Sequence, residues 1–367
     1  MGQGVGTALA QMLADELDAD WNLVKFEEAP AISAFANYPL GKGLLMGGVD
    51  MPDFVVPTVD GVLIRTAQAL DLQITGGSLS VRTTGAYGMR VAGAAVKQML
   101  RVAAAQTWQV PVDQVVAKDS QMIHKATGRS EPYSAFAAAA AEMTPPASPT
   151  LKTPDQFKIM GRHVQRHDLP SKVDGTATFA LDVRLPDMLY ATVKRAPTFG
   201  GGVDNIDDTQ TRTIKGVIDV VRLPAAEVSA LIGGFSTEES VAVVAEGYWQ
   251  AKRGLDALNI EWAATDNDSV SSDAIFAQFD RDISAGIDRQ ADVSQGDLTT
   301  SMANASQIIE AEYQVPFLAH TCMEPLNATA VVKDGFCEIW IGCQSPLSFR
   351  QAVADSLGFD VENVTLN

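Results

Sequence analysis

Residues 75–108 read TGGSLSVRTTGAYGMRVAGAAVKQMLRVAAAQTW. The stretch opens on the pair Gly76–Gly77 and continues into a long alanine-rich run, which predicts a glycine loop feeding a long helix. Within the run, Ala92, Gly93, Ala94 and Ala95 are small enough to let a second backbone approach closely. The same pattern stands at the start of the chain. Residues 1–21 read MGQGVGTALAQMLADELDADW. Gly2 and Gly4 flank Gln3, and a helix over 7–19 follows, with Leu9, Met12, Leu13 and Leu17 at helical spacing. Thr7 is a fair N-cap. Asp15, Glu16, Asp18 and Asp20 occupy the other face. A Gly-x-Gly corner usually needs an element ahead of it to hold it. None precedes it here, so the glycines are either a frayed tail or the start of a polypeptide that begins mid-domain.

Glycine lets a backbone come close to a ligand, and the N–H groups of a helix start favour anions. Ser78 and Ser80 add hydroxyls beside the second corner. Neither corner fits the G-x-G-x-x-G dinucleotide fingerprint after a strand, and no G-x-x-x-x-G-K-[ST] loop occurs. Spacing alone therefore leaves two readings open, anion-binding loops or two structural turns.

The composition bounds the rest. At 367 residues, two or three domains are expected, and 46% hydrophobic with 20% charged residues is ordinary for a globular protein. A net charge of -18 argues against nucleic acid and against an anionic membrane surface. No apolar run approaches the roughly 20 residues of a membrane span, and no signal-peptide pattern is visible. Cys322, Cys337 and Cys343 are odd in number and sparse, which argues against a disulfide framework. His163 and His167 have the i, i+4 spacing of a helical metal pair, but GRHVQRHDLPSKVDG (161–175) reads as a loop. His320 and Glu324 are also four apart, and Pro325 argues against a helix there. They could face a pocket or lie on a surface crossover. No G-x-S-x-G and no supportable Cys–His pair marks a nucleophile.

The remaining chain mixes strands and helices without strict alternation, which argues α+β. Strands are expected over 23–29, 176–183, 188–197, 216–223, 240–247 and 259–264. A hairpin is expected over 114–125 with its turn at 118–120, and a short helix over 133–143. Four prolines in 144–154 mark a linker. Helices are expected near Ala225–Ile232, over 248–258 and around Ala274–Ile283, inside a polar stretch at 265–305. Beyond it come a strand ending near Val315, strands 327–332 and 337–342 joined by a turn at 333–336, a helix from Pro346 and a further strand over 361–367.

Four stretches together resemble a known family: MGQGVGTALAQMLADELDADW, GGSLSVRTTGAYGMRVAGAAVKQML, GRHVQRHDLPSKVDGTATFALDVRLPDMLYATVKRAP and MEPLNATAVV with CEIWIGCQSP. Their order is similar to the large, molybdopterin-binding subunits of the xanthine oxidase family of molybdenum hydroxylases. The isoquinoline 1-oxidoreductase β-subunits and related aldehyde and nicotinate dehydrogenase subunits are the nearest branch. Arg166, Asp168, Lys172, Val173 and Gly175 match the start of its a/b hammerhead domain. The resemblance implies five segments: a partial molybdopterin-binding segment (1–143), a proline-rich linker (144–157), the hammerhead (158–265), an acidic connector (266–305) and the start of the main molybdopterin-binding domain (306–367).

By the same resemblance, Gly2, Gln3 and Gly4 lie against the pterin, with Gly76, Gly77, Ser78 and Ser80 forming a second loop near it. The implied cofactor is molybdenum–molybdopterin cytosine dinucleotide. Its dithiolene holds the metal, so no protein metal ligand is needed. The implied partners are a small subunit carrying a 2Fe-2S cluster and a cytochrome c electron acceptor. The implied substrate is an aromatic heterocycle or an aldehyde, hydroxylated with oxygen from water and with a glutamate as general base. That glutamate belongs to a G-x-G-E motif, which is absent here, as is the G-G-G-F-G loop. The expectation is a fragment, about the first half of a subunit and inactive by itself. No catalytic residue is assigned within it, and the compartment, cytoplasm or periplasm, is left open. The alternatives are a complete, non-catalytic binding module on the same fold and, less favoured, an NAD-binding oxidoreductase.

Overall fold

The computed structural model describes residues 4–47, 49, 51–228, 235–285 and 295–367. The chain divides into one unit of residues 1–184 with 322–367 and a second of residues 185–321.

In the first unit, helix α1 (Val5–Leu17) starts at Gly4, whose φ of 75° is left-handed and suits glycine. Helices α2 (Tyr38–Met46) and α3 (Val56–Ala69) follow. The glycine-led run then forms one continuous helical rod. It comprises a short α4 (Gly77–Ser80), a π-helical stretch over Val81–Met89 and α5 (Arg90–Trp108). Small residues let this rod meet α1. A Cβ on Gly85 would lie 2.3 Å from the Met12 sulfur, and one on Gly93 would lie 2.5 Å from the Leu13 carbonyl oxygen. Leu9 and Met12 thus face Gly85, Leu13 and Glu16 face Gly93, and Asp18 pairs with Lys97. Both sequences advance together, so α1 and the rod run parallel.

The far end of α5 carries a core of Leu100, Ala104, Trp108, Val115, Met122 and Phe136. Strands β1 (Val115–Lys118), β2 (Gln121–His124) and β3 (Ser130–Pro132) and helix α6 (Ala137–Ala141) close it. The β1–β2 turn falls at Asp119 and Ser120, both at positive φ, where the sequence places it. A short helix α7 (Leu169–Asp174) ends this part of the unit.

The second unit holds an antiparallel sheet with β9 (Ser240–Ala245) between β4 (Tyr190–Arg195) and β6 (Val217–Leu223). β5 (Val203–Asp207) pairs with β10 (Asn259–Trp262), and β7 (Ala226–Val228) with β8 (Phe235–Thr237). Helix α8 (Tyr248–Ala257) packs on β4 and β9. Val203, Val241, Val243, Leu255 and Leu258 make the core. Helices α9 (Ser272–Ser284) and α10 (Leu298–Ala303) follow.

The chain then rejoins the first unit. β11 (Ala328–Lys333) and β12 (Phe336–Ile341) form a hairpin over Asp334 and Gly335, both at positive φ. Helix α11 (Pro346–Leu357) leads to β13 (Val364–Leu366), which pairs parallel to β12. Cys337, Ile339, Ala354 and Val364 are its core. Helix and strand mix without a repeating βαβ unit, as the α+β reading expects.

Several expectations need correction. Residues 24–30 form no strand, since no neighbouring strand offers hydrogen bonds there and the Phe26 ring lies on Gly6 instead. Residues 176–183 hold a 3₁₀ turn, Ala180–Asp182, with the Phe179 N–H donating to the Asp182 carboxylate. The helix expected near Ala225–Ile232 is strand β7 at its start, because pairing with β8 overrides alanine's helix preference. The rest of that stretch, 229–234, lies outside the described residues. Residues 307–322 carry neither helix nor strand, so the strand ending near Val315 is not formed. Thr7 sits inside α1 and does not cap it. Asp15 and Glu16 are not on a solvent face but fully buried.

Candidate functional site

Because α1 and the rod are parallel, Gly4 and the Gly76–Gly77 corner lie at the same end of the first unit, and α1 touches α4 there. Each helix start presents N–H groups that have no partner inside the helix, and the two dipoles point their positive ends the same way.

The second corner is pinned from several sides. The Thr75 N–H donates to the Gln344 carbonyl at 2.9 Å. Asn37 Nδ2 donates to the Ile74 carbonyl at 2.8 Å, and Asn37 Oδ1 accepts from Thr84 Oγ1 at 3.0 Å. Ser80 is 1% exposed and its hydroxyl accepts the Gly76 N–H at 2.8 Å, so this side chain braces the corner itself. Ser78 is exposed. A Cβ added to Gly76 would meet only the Leu79 Cβ, at 3.9 Å, so the corner's outer side is open.

A strap of chain, residues 152–168, shapes the first corner. It runs back along α1 from the carboxyl end to the amino end, held by one polar stripe of the helix. Asp15 accepts the N–H groups of Lys158, Ile159 and Met160 and the Lys152 ammonium. Gln11 Nε2 donates to the Ile159 carbonyl at 3.2 Å. Thr7 Oγ1 accepts the His167 N–H at 3.2 Å, and the Arg166 side chain lies 3.7 Å from where a Gly4 Cβ would stand. Burial pushes the Asp15 carboxyl up, but the Lys152 ammonium and the three amides outweigh it and hold it below the usual range. Glu16 takes Arg90 through Nε and Nη2, at 2.8 and 2.6 Å, and the Lys152 N–H at 3.0 Å.

At the amino end of α1 a cavity of about 420 Å³ is lined by Val24, Lys25, Phe26, Glu27, His167 and Asp168. Asp168 accepts from Arg166 at 3.0 and 2.7 Å and also pairs with Lys172. Arg166 first, then Lys172, hold its carboxyl far below the ordinary range. The His167 ring leans on Trp21, with centroids 5.0 Å apart. Its Nε2 is buried without a hydrogen-bond partner among the described residues.

Of the residues singled out in the sequence, Gly4, Gly76, Gly77, Ser78 and Ser80 are placed around this end. Gly2 and Gln3 lie outside the described residues. His163 and His167 precede α7 and do not share a helix. Glu324 accepts from the Leu181 N–H at 3.4 Å and from Asn327 Nδ2 at 3.3 Å, and His320 is exposed. Among the described residues no group of three or more His, Cys, Asp and Glu could hold a metal ion. Sequence reasoning missed Lys25 and gave His167 no part in this end. The only signal was Arg166-x-Asp168, which says nothing of where the strap docks.

The chemistry of this end suits an anion. Two helix amino ends meet here, Lys25 adds a positive charge, and Arg166 and Lys172 together exceed the single charge of the Asp168 they pair with.

Residues 281–367 match the molybdopterin cofactor-binding domain. Over its whole length the chain is 28% identical to the β-subunit of isoquinoline 1-oxidoreductase from Brevundimonas diminuta, across 100% of this chain and 47% of that protein. It is also 28% identical to the membrane-bound aldehyde dehydrogenase (pyrroloquinoline-quinone) of Gluconacetobacter polyoxogenes, across 100% of this chain and 42% of that one. A nicotinate dehydrogenase subunit of Pseudomonas putida is 28% identical over 59% of this chain and 17% of its own. The chain spans about half the length of the curated relatives it matches from end to end.

Proposed function

We propose that this chain, a relative of the molybdopterin-binding large subunits of molybdenum hydroxylases, forms one side of the cradle for a molybdenum–pterin cofactor. One observation carries the reading. Two glycine-led helix starts, far apart in sequence, stand at the same end of one unit, on parallel helices that touch there. Gly4 and the Gly76–Gly77 corner would hold the phosphate-bearing part of the cofactor, and its cytosine dinucleotide form would bring a diphosphate to them. Gly2 and Gln3, which lie outside the described residues, are further candidate contacts on the sequence alone, and Ser78 would supply a hydroxyl at the second corner.

When bound, the group supplies two-electron oxidation with water as the oxygen source, its metal held by the pterin's own sulfurs. The chain's residues bind and orient it. Ser80 fixes the Gly76 backbone, Asn37 and the Gln344 carbonyl hold the approach to it, and Arg166 keeps positive charge beside Gly4. No residue of this chain is assigned as general base. The parent subunit oxidises an aldehyde or an N-heteroaromatic ring and passes electrons to an iron–sulfur subunit, with a cytochrome c beyond it. Residues 158–265 are its hammerhead segment, flanked by pieces of the molybdopterin-binding domain at 1–143 and 306–367. Among the described residues no helix is long and apolar enough to cross a membrane.

The test is binding of molybdopterin cytosine dinucleotide to the purified chain, followed by pterin fluorescence. Gly4→Val places a β-branched residue at a φ of 75° and crowds Arg166. We expect it to weaken binding about tenfold or more. Equal affinity in the two proteins, or none in the wild type, overturns the reading.

A further inference from the structure

We propose that the end of the strap, residues 159–168, is a third wall of this cradle, and that His167, with Lys25 lining the same cavity, is a further ligand of the diphosphate-bearing group. The inference rests on the cradle reading and extends it to residues that the glycine corners do not include.

The cavity and the first corner are continuous. Phe26 lines the cavity and its ring covers Gly6, where an added Cβ would lie 2.8 Å away. His167 lines the same cavity, and its N–H is held by Thr7 in the first turn of α1. A buried imidazole nitrogen without a partner is costly, and a group that enters beside it to share a proton recovers that cost. Trp21 leaves the ring little freedom to swing away. Lys25 lines the same cavity. The acid between them, Asp168, has its charge taken up by Arg166 and Lys172, so the one uncompensated acid on the wall is Glu27. A phosphate oxygen beside Lys25 and His167 meets one ammonium and one ring nitrogen, with the positive end of α1 behind them.

The strap's position is set from within α1. Gly4, Thr7, Gln11, Asp15 and Asp18 recur at three- and four-residue spacing, so they form one stripe along the helix. Four of them hold the strap: Asp18 takes Lys152 and Lys158, Asp15 takes the amides at 158–160, Gln11 takes the 159 carbonyl, and Thr7 takes the 167 amide. Thr7 is therefore a positioning residue that acts through His167.

The experiment titrates inorganic pyrophosphate into the purified full chain, read by ³¹P line broadening and calorimetry, with thermal melting as a check on the fold. His167→Asn and Lys25→Gln are each expected to raise Kd about tenfold. Lys25 is exposed, so its variant keeps the test open if the His167 variant melts early. Thr7→Val should weaken binding too, yet the Thr7→Val, His167→Asn double variant should bind no more weakly than His167→Asn alone. A purely structural role for Thr7 would instead make the two losses add, and that result overturns its positioning role. If both single variants at 25 and 167 bind like the wild type while Gly4→Val loses affinity, the third wall fails and the glycine cradle stands. If the wild-type chain binds no pyrophosphate, both fail together.

Discussion

Two carboxylates on α1 illustrate the residue scale. Asp15 and Glu16 are 0% exposed, and each is matched by cations and amides. A buried charge deprived of its partners is costly, and the same holds for partners deprived of their charge. Asp15→Ala leaves three buried amides without their acceptor and Lys152 with Asp18 as its one carboxylate partner, so a loss of about 3 kcal/mol in unfolding free energy by urea titration is expected. The pH dependence has a definite sign. The Asp15 and Asp18 carboxyls sit below their ordinary values when folded. Their contribution is therefore complete above about pH 4, the unfolded value, and is lost as pH falls through the lower folded value. Acid titration by circular dichroism should show wild-type stability declining below that pH, with a shallower decline for Asp15→Asn.

Thiols give a second residue-scale prediction. Cys322 is exposed, Cys337 is buried and Cys343 is intermediate. Burial pushes the thiols of Cys337 and Cys343 up, which lowers their thiolate fraction. In the native chain a thiol reagent should therefore label Cys322 first, and Cys337 only on unfolding. Peptide mapping after a short pulse checks the order.

At the scale of elements, packing depends on where glycine lies on a helix. Gly93 meets the Leu13 carbonyl at a distance no Cβ tolerates, whereas Gly61 in α3 has nothing within 4 Å. Gly93→Ala should force α1 away from α5 and cost about 1–3 kcal/mol. Gly61→Ala should stabilise by about 0.5–1 kcal/mol, the ordinary gain of alanine in a helix interior. The two variants differ only in location, and their melting temperatures should move in opposite directions.

Elements with local cues were legible. The helical rod, α8, α11 and both tight hairpins follow from runs of helix formers and from paired turn residues. Helix α2 was not read, although Asn37 accepts the Leu40 N–H and Pro39 opens the first turn, because its glycines mask a short helix. The strand over 23–29 was read from alternation that has no neighbour to pair with.

At the scale of the whole molecule, each unit has its own core, and the first is made of two stretches separated by the second. The Thr75–Gln344 hydrogen bond joins those two stretches, so the second glycine corner depends on residues from near the end of the chain. Deleting residues 342–367 should weaken pyrophosphate binding more than Ser78→Ala does, as measured by the same titration. The similarity to molybdopterin-binding subunits was legible through four stretches of sequence. The convergence of Gly4, Gly76, Lys25 and His167 on one end was not.

The sequence by itself determined the two glycine corners and the helices behind them. These rest on hydrogen bonds between residues four apart and on the freedom of glycine, both local properties. Only the tertiary structure decided that the corners lie at the same end and that the strap reaches them. Those facts come from Leu13 against Gly93, Met12 against Gly85 and Thr7 against His167. Contacts between residues roughly seventy to a hundred and sixty positions apart leave no periodicity along the chain.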